Sequence, residues 1–137
     1  MWMLAAVVAA GSAVRAEETD ISARVSLELN AVKTAESGCT LTFLVINGHA
    51  RTIENAVYET VLFDTDGQVD RLTLFDFGTL PAGRPRVRQF VVPGTTCEKL
   101  GQVLINGAHA CTAPGLSEGA CDADLNLGTR TGIEVTG

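Results

Sequence analysis

Val57-Tyr58-Glu59-Thr60-Val61-Leu62-Phe63, then Asp64-Thr65-Asp66-Gly67-Gln68, then Val69-Asp70-Arg71-Leu72-Thr73-Leu74-Phe75-Asp76-Phe77: this stretch decides the fold. Its period is two. Val57, Glu59 and Val61 face one way, and Tyr58, Thr60 and Leu62 the other, as side chains alternate across a strand. Between the two runs, Asp66-Gly67 predicts a tight hairpin, because glycine accepts the positive φ such turns need.

The same period extends outward in both directions. Over residues 21–32, Ala23, Val25, Leu27 and Leu29 alternate with Arg24, Ser26, Glu28 and Asn30. Residues 39–46 place Leu41, Phe43 and Val45 on one side, and Asn47-Gly48 stops the run. A strand over 86–92 is bounded by Pro85 and by Pro93-Gly94. Another spans 102–106 and runs on toward Cys111. Residues 112–119 form a loop rich in Gly, Pro and Ser. Residues 125–135 form the last strand, with break points at Gly128 and Gly132. No stretch reads as an amphipathic helix, and 95–101 has room for one turn.

About seven short strands with turn signals between them predict an all-β domain, a sandwich of two antiparallel sheets. A small barrel or a jelly roll satisfies the same pattern. The layout resembles the immunoglobulin-like sandwiches of exported bacterial proteins, in particular their accessory and adhesion-type domains. The segment 41–80 carries most of that likeness. It holds a strand ending in Val45-Ile46-Asn47, the strand Tyr58-Glu59-Thr60-Val61-Leu62-Phe63, the Asp-Gly turn, and Gly78-Thr79-Leu80-Pro81-Ala82-Gly83. The resemblance implies a non-catalytic domain that contacts another protein.

The chain of 137 residues suffices for one domain, residues 17–137, behind a leader, residues 1–16. The leader reading rests on the short apolar run from Leu4 to Ala10 and on Val14-Arg15-Ala16, a signal-peptidase pattern with cleavage after Ala16. The run is far shorter than a membrane span. Its n-region carries no Lys or Arg. The expected location is periplasmic or secreted, with no membrane attachment after cleavage.

Formal charge is −6, and loss of Arg15 with the leader leaves nine basic residues against sixteen acidic ones. Such a balance argues against nucleic acid, whose phosphates demand Lys and Arg. Mean hydropathy of +0.22 is that of a chain with a core to bury.

Four cysteines follow the leader: Cys39, Cys97, Cys111 and Cys121. An even count behind a leader reads as two disulfides. In the sandwich topology, the strand opened by Cys39 lies antiparallel to the strand that Cys97 follows. Cys111 ends the next-to-last strand and Cys121 precedes the last, which are expected to be hairpin neighbours. The predicted pairs are therefore Cys39–Cys97 and Cys111–Cys121.

Three groups are candidates for chemistry. Asp64, Asp66 and Asp70 around Gly67 suggest a calcium loop, but Phe75 stands where an EF-hand has its Glu, so the segment reads as a hairpin. Arg84, Arg86 and Arg88 recur at period two, placing three guanidinium groups on one strand face with Val87 turned inward. That row is a candidate interaction surface, or a charged guard on a sheet edge. His49 and His109 each follow an Asn-Gly at a strand end. They are expected near one pole, where His49, residues 50–55 and the Cys111–Cys121 loop mark the first candidate surface, the arginine row being the second. Two imidazoles there would make an envelope metal-binding protein the alternative function, though no third ligand is evident. No G-x-S-x-G, P-loop or G-x-G-x-x-G occurs, so neither an enzyme nor a cofactor is expected.

Overall fold

The computed structural model describes residues 20–137. The expected leader, residues 1–16, lies outside them. Eight strands run in order: β1 (Val25–Ala35), β2 (Gly38–Asn47), β3 (Ile53–Asp64), β4 (Val69–Leu80), β5 (Arg86–Pro93), β6 (Leu100–Thr112), β7 (Asn126–Thr129) and β8 (Glu134–Thr136). Among the described residues, the one helical element is a single 3-10 turn, Cys97–Lys99. The strands form two four-stranded sheets, β5-β2-β1-β7 and β4-β3-β6-β8. The all-β sandwich architecture read from the sequence is present.

Alternation builds the core. Val25, Leu27 and Leu29 of β1 and Leu41, Phe43 and Val45 of β2 are fully buried. Ala56, Tyr58 and Leu62 face them from the other sheet, as do Phe75 and Phe77. Aromatics gather toward the β4–β5 side. Phe43 meets Phe77 edge-on at 5.5 Å, and Phe75 stacks on Phe90 at 4.3 Å. That stack joins one sheet to the other.

Four expectations need correction. Seven strands become eight because the run 125–135 is two strands on different sheets. β7 runs parallel to β1, and β8 runs parallel to β6, so the sheets are mixed rather than antiparallel. Thr129 and Thr131 hydroxyls accept the N–H groups of Thr131 and Ile133 and hold the turn between them. Ile133 is buried there. The crossing closes one side of the sandwich covalently. The last strand and β6 are therefore not a hairpin. The first strand also starts at Val25 rather than at residue 21. Ala23 sits at φ 59°, and a turn from Arg24 N–H to Ile21 C=O precedes the strand.

Gly48 is required where that turn packs. A Cβ on Gly48 would lie 1.8 Å from the Ile21 carbonyl oxygen. Beside it, Asn47 is buried and fully used. Its Nδ2 donates to the carbonyls of Arg51 and Leu80, and its Oδ1 accepts the His49 N–H. One amide thus ties the end of β2 to the end of β4.

The disulfides join Cys39 to Cys97 and Cys111 to Cys121, the pairs expected from the strand order. They lie at opposite poles. Cys39 begins β2 beside the end of β5, whereas Cys111 ends β6. Since β6 has no hairpin partner after it, the second bridge tethers the 112–120 loop instead.

Candidate functional site

The arginine row lies on β5 and the connection before it, but its parity is inverted. Val87 is 59% exposed, while Arg86 and Arg88 are half-buried. Phe90 decides this. Its stack on Phe75 pulls even-numbered residues toward the interior, so 87, 89 and 91 face outward. Gln89 confirms the outer face by donating from Nε2 to Thr42 Oγ1 on β2 at 3.0 Å.

Arg88 closes the side of the sandwich opposite the β7–β8 crossing. Its Nε donates to the Phe77 carbonyl at 2.8 Å and its Nη2 to the Thr79 carbonyl at 3.0 Å, both on β4. Arg71 returns the contact from β4, with Nη1 donating to the Pro93 carbonyl at 2.6 Å. The two guanidinium groups span the gap between the edge strands of the two sheets. Arg84 is exposed, and neither Arg84 nor Arg86 forms an ion pair among the described residues.

The same side carries the exposed apolar surface. Among the described residues, the exposed large hydrophobic side chains are Val69, Leu72 and Leu74 of β4 and Val87 and Val91 of β5. All five belong to these two edge strands. On the outer face of β4, Leu72 sits opposite Val61, and Val61 opposite Leu104, which extends the apolar row across three strands.

The histidines do not come together. His49 Nε2 lies 2.6 Å from the Ala120 carbonyl, so that nitrogen donates to the disulfide loop and holds it against the pole. His109 instead lines a shallow recess on the outer face with Glu59, Leu72, Thr73 and Leu74. A bulge between the Val57 and Tyr58 pairings takes His109 out of the ladder. Among the described residues, no group of three or more His, Cys, Asp or Glu side chains is placed to hold a metal ion. At the Asp64 turn, Oδ1 of Asp64 accepts the N–H groups of Asp66 and Gln68 at 2.9 and 3.0 Å. With Gly67 at φ 81°, that carboxylate is committed to shaping the hairpin.

A cleft of about 500 Å³ opens at the Cys97 pole between Val32, Thr34, Glu98, Leu100 and Ile133. Glu98 is the one titratable side chain lining it. No acid–base pair faces another across that cleft, and the site with the most distinctive chemistry is the β4–β5 side.

No protein-family model, curated protein or solved structure matches this chain. The residues themselves carry the functional argument.

Sequence reasoning missed Tyr58. Its hydroxyl is buried and donates to the Cys121 carbonyl at 2.6 Å, joining β3 to the second disulfide. The available signal was its place on the same face as Thr60 and Leu62 as the chain's single tyrosine. Burial pushes the phenol far above its ordinary value near 10, and the neighbouring Asp122 charge adds to the rise. The unfolded chain releases this proton from about pH 10 upward, whereas the folded chain keeps it. Stability from this group is fully present below pH 10 and is lost above it, by about 1.4 kcal/mol per pH unit. Absorbance of tyrosinate reports this residue alone. It should stay absent from the folded protein until unfolding begins, and Tyr58→Phe should remove this part of the alkaline loss. A tyrosinate signal rising near pH 10 in the folded state would contradict the burial.

Proposed function

We propose that this chain is a non-catalytic binding or accessory domain that works outside the cytoplasm, in the periplasm or after secretion. Its partner is another envelope or secreted protein, met through the β4–β5 side of an immunoglobulin-like sandwich. One observation carries the reading. The five exposed large hydrophobics lie on the two strands that border one side, beside Arg84 and Arg86. Val69, Leu72 and Leu74 lie on the outer face of one sheet and Val87 and Val91 on that of the other, so exposed apolar side chains flank this side on both faces, which supports an interaction site there.

The two disulfides suit an oxidising compartment, periplasmic or extracellular. No helix among the described residues is long and apolar enough to cross a membrane. The residue 1–16 leader supplies the route in this reading. Gly137 is exposed.

Affinity purification from intact envelopes tests the reading. The wild-type chain is compared with Leu72→Lys/Leu74→Lys, and with a control pair on another surface, Glu28→Gln/Asn30→Ala. Recovery of the co-purified protein should fall at least about tenfold for the first pair, as hot-spot side chains dictate, and hold for the second. Equal recovery with both would remove this side from consideration.

A further inference from the structure

The free edge of β5 offers more than apolar surface. β5 is outermost in its sheet, with β2 on one flank only. The Val92 carbonyl points at β2, since a Cβ on Gly38 would lie 2.1 Å from its oxygen. Backbone groups alternate along a strand, so those of Val87, Gln89 and Val91 point away from β2. Side-chain contacts agree. The carbonyls of Pro85, Val87 and Pro93 each accept a guanidinium N–H, from Arg86, Arg88 and Arg71 in turn. Three N–H groups, at Val87, Gln89 and Val91, remain along a stretch closed at each end by a proline.

The charge of this edge is opposite to that of the chain. Residues 81–93 hold three arginines and no acid, in a protein of net charge −6. Among the described residues, Arg84 and Arg86 form no ion pair. We infer that β5 is a docking edge for an extended segment of a partner protein, in which apolar residues alternate with aspartate or glutamate. This rests on the proposed binding role and specifies its partner. The segment adds as a fifth strand, its carbonyls accepting from the three free N–H groups. Its apolar side chains lie on the outer face against Val87 and Val91. Its carboxylates, on the other parity, meet Arg86 and the exposed Arg84.

A second copy of this chain fits less well. A second β5 edge holds three arginines and no acid, so it offers Arg84 and Arg86 no counter-charge, and β4 has the Phe77 and Thr79 carbonyls already taken by Arg88.

The probe is a synthetic peptide of alternating Val and Glu, as long as β5, with a Val/Lys peptide of the same alternation as control. Binding is followed by backbone amide shifts and hydrogen exchange in the intact chain. The Val/Glu peptide should shift and protect the amides of Val87, Gln89 and Val91, and bind at least about tenfold more tightly than Val/Lys. Gln89→Pro removes a donor on the free flank without touching the β2 ladder, so it should fold and lose binding. If Gln89→Pro does not fold, Arg84→Glu/Arg86→Glu decides the matter, because it should reverse the preference toward the Val/Lys peptide. Undisturbed β5 amides, or no reversal, would overturn the inference. Concentration-dependent dimers with protected β5 amides and no peptide would overturn it in favour of a second copy. Should the peptides fail while Leu72→Lys/Leu74→Lys still strips the co-purified protein, strand addition falls and the binding role stands. Failure of both removes both.

Discussion

Replacing Cys39 and Cys97 together by alanine is expected to lower the unfolding free energy by about 4 kcal/mol. The bridge spans 58 residues of sequence. Cutting it returns to the unfolded chain the freedom of a loop nearly half the length of the protein, and chain entropy sets that figure. The backbone around it is held by other contacts as well. Cys97 N–H is held independently by Thr34 Oγ1 at 2.9 Å, and the β2–β5 ladder continues from Gly38 to Val45. The loss therefore acts mainly on the unfolded state, and the denaturant slope should rise as that state expands. The Cys111–Cys121 bridge spans only 10 residues, and its removal should cost about 3 kcal/mol or less. Urea unfolding of the two double variants gives the order. A larger loss from Cys111 and Cys121 would show that native contacts, and not loop closure, dominate.

Phe43→Ala should cost about 3–5 kcal/mol, the range for removing a fully buried aromatic side chain. Phe43 is the ring where the sheets meet. It lies 6.0 Å from Phe75, 5.5 Å from Phe77 and 6.0 Å from Phe90, so three edge contacts vanish with it. The cavity cannot close easily, because Phe75 is held by its stack on Phe90 and Phe77 by Tyr58. Phe43→Leu fills part of the space and should recover much of the loss. A cost below about 1 kcal/mol for the alanine variant would mean that this cluster is not the packed centre described.

The inward faces of β1 and β2 were legible in the sequence, because apolar and polar residues alternate cleanly there. Leu41, Phe43 and Val45 are buried as that alternation predicts. The Asp-Gly hairpin was legible for the same local reason, whereas the cysteine pairs were read from the expected strand order, and Cys111–Cys121 forms without the hairpin expected beside it. β4 was not, since Leu72, Leu74, Phe75 and Phe77 are apolar on both parities and only packing selects the phenylalanines. β5 misled for a related reason. Val87 is apolar and Arg88 is charged, so alternation alone turns Val87 inward. Phe90 overrides it, and Arg88 satisfies its charge on carbonyls of the opposite sheet. Gly128 and Gly132 signalled a break in the last run, but the placement of its halves on different sheets depends on contacts that no local pattern encodes. The candidate site was thus half visible. The arginines drew attention to β5, but the outward valines and the apolar face of β4 became apparent only once the parity was fixed.

Photo-crosslinking in intact envelopes shows whether the β4–β5 side is the working surface. A photoreactive residue is placed singly at Leu72, Leu74, Val87 and Val91, and at Arg51, Ser117 and Glu28 on other surfaces. The account predicts adducts of one common partner from the first four positions and none from the other three. Adducts confined to Arg51 and Ser117 would place the working surface at the His49 pole and contradict it.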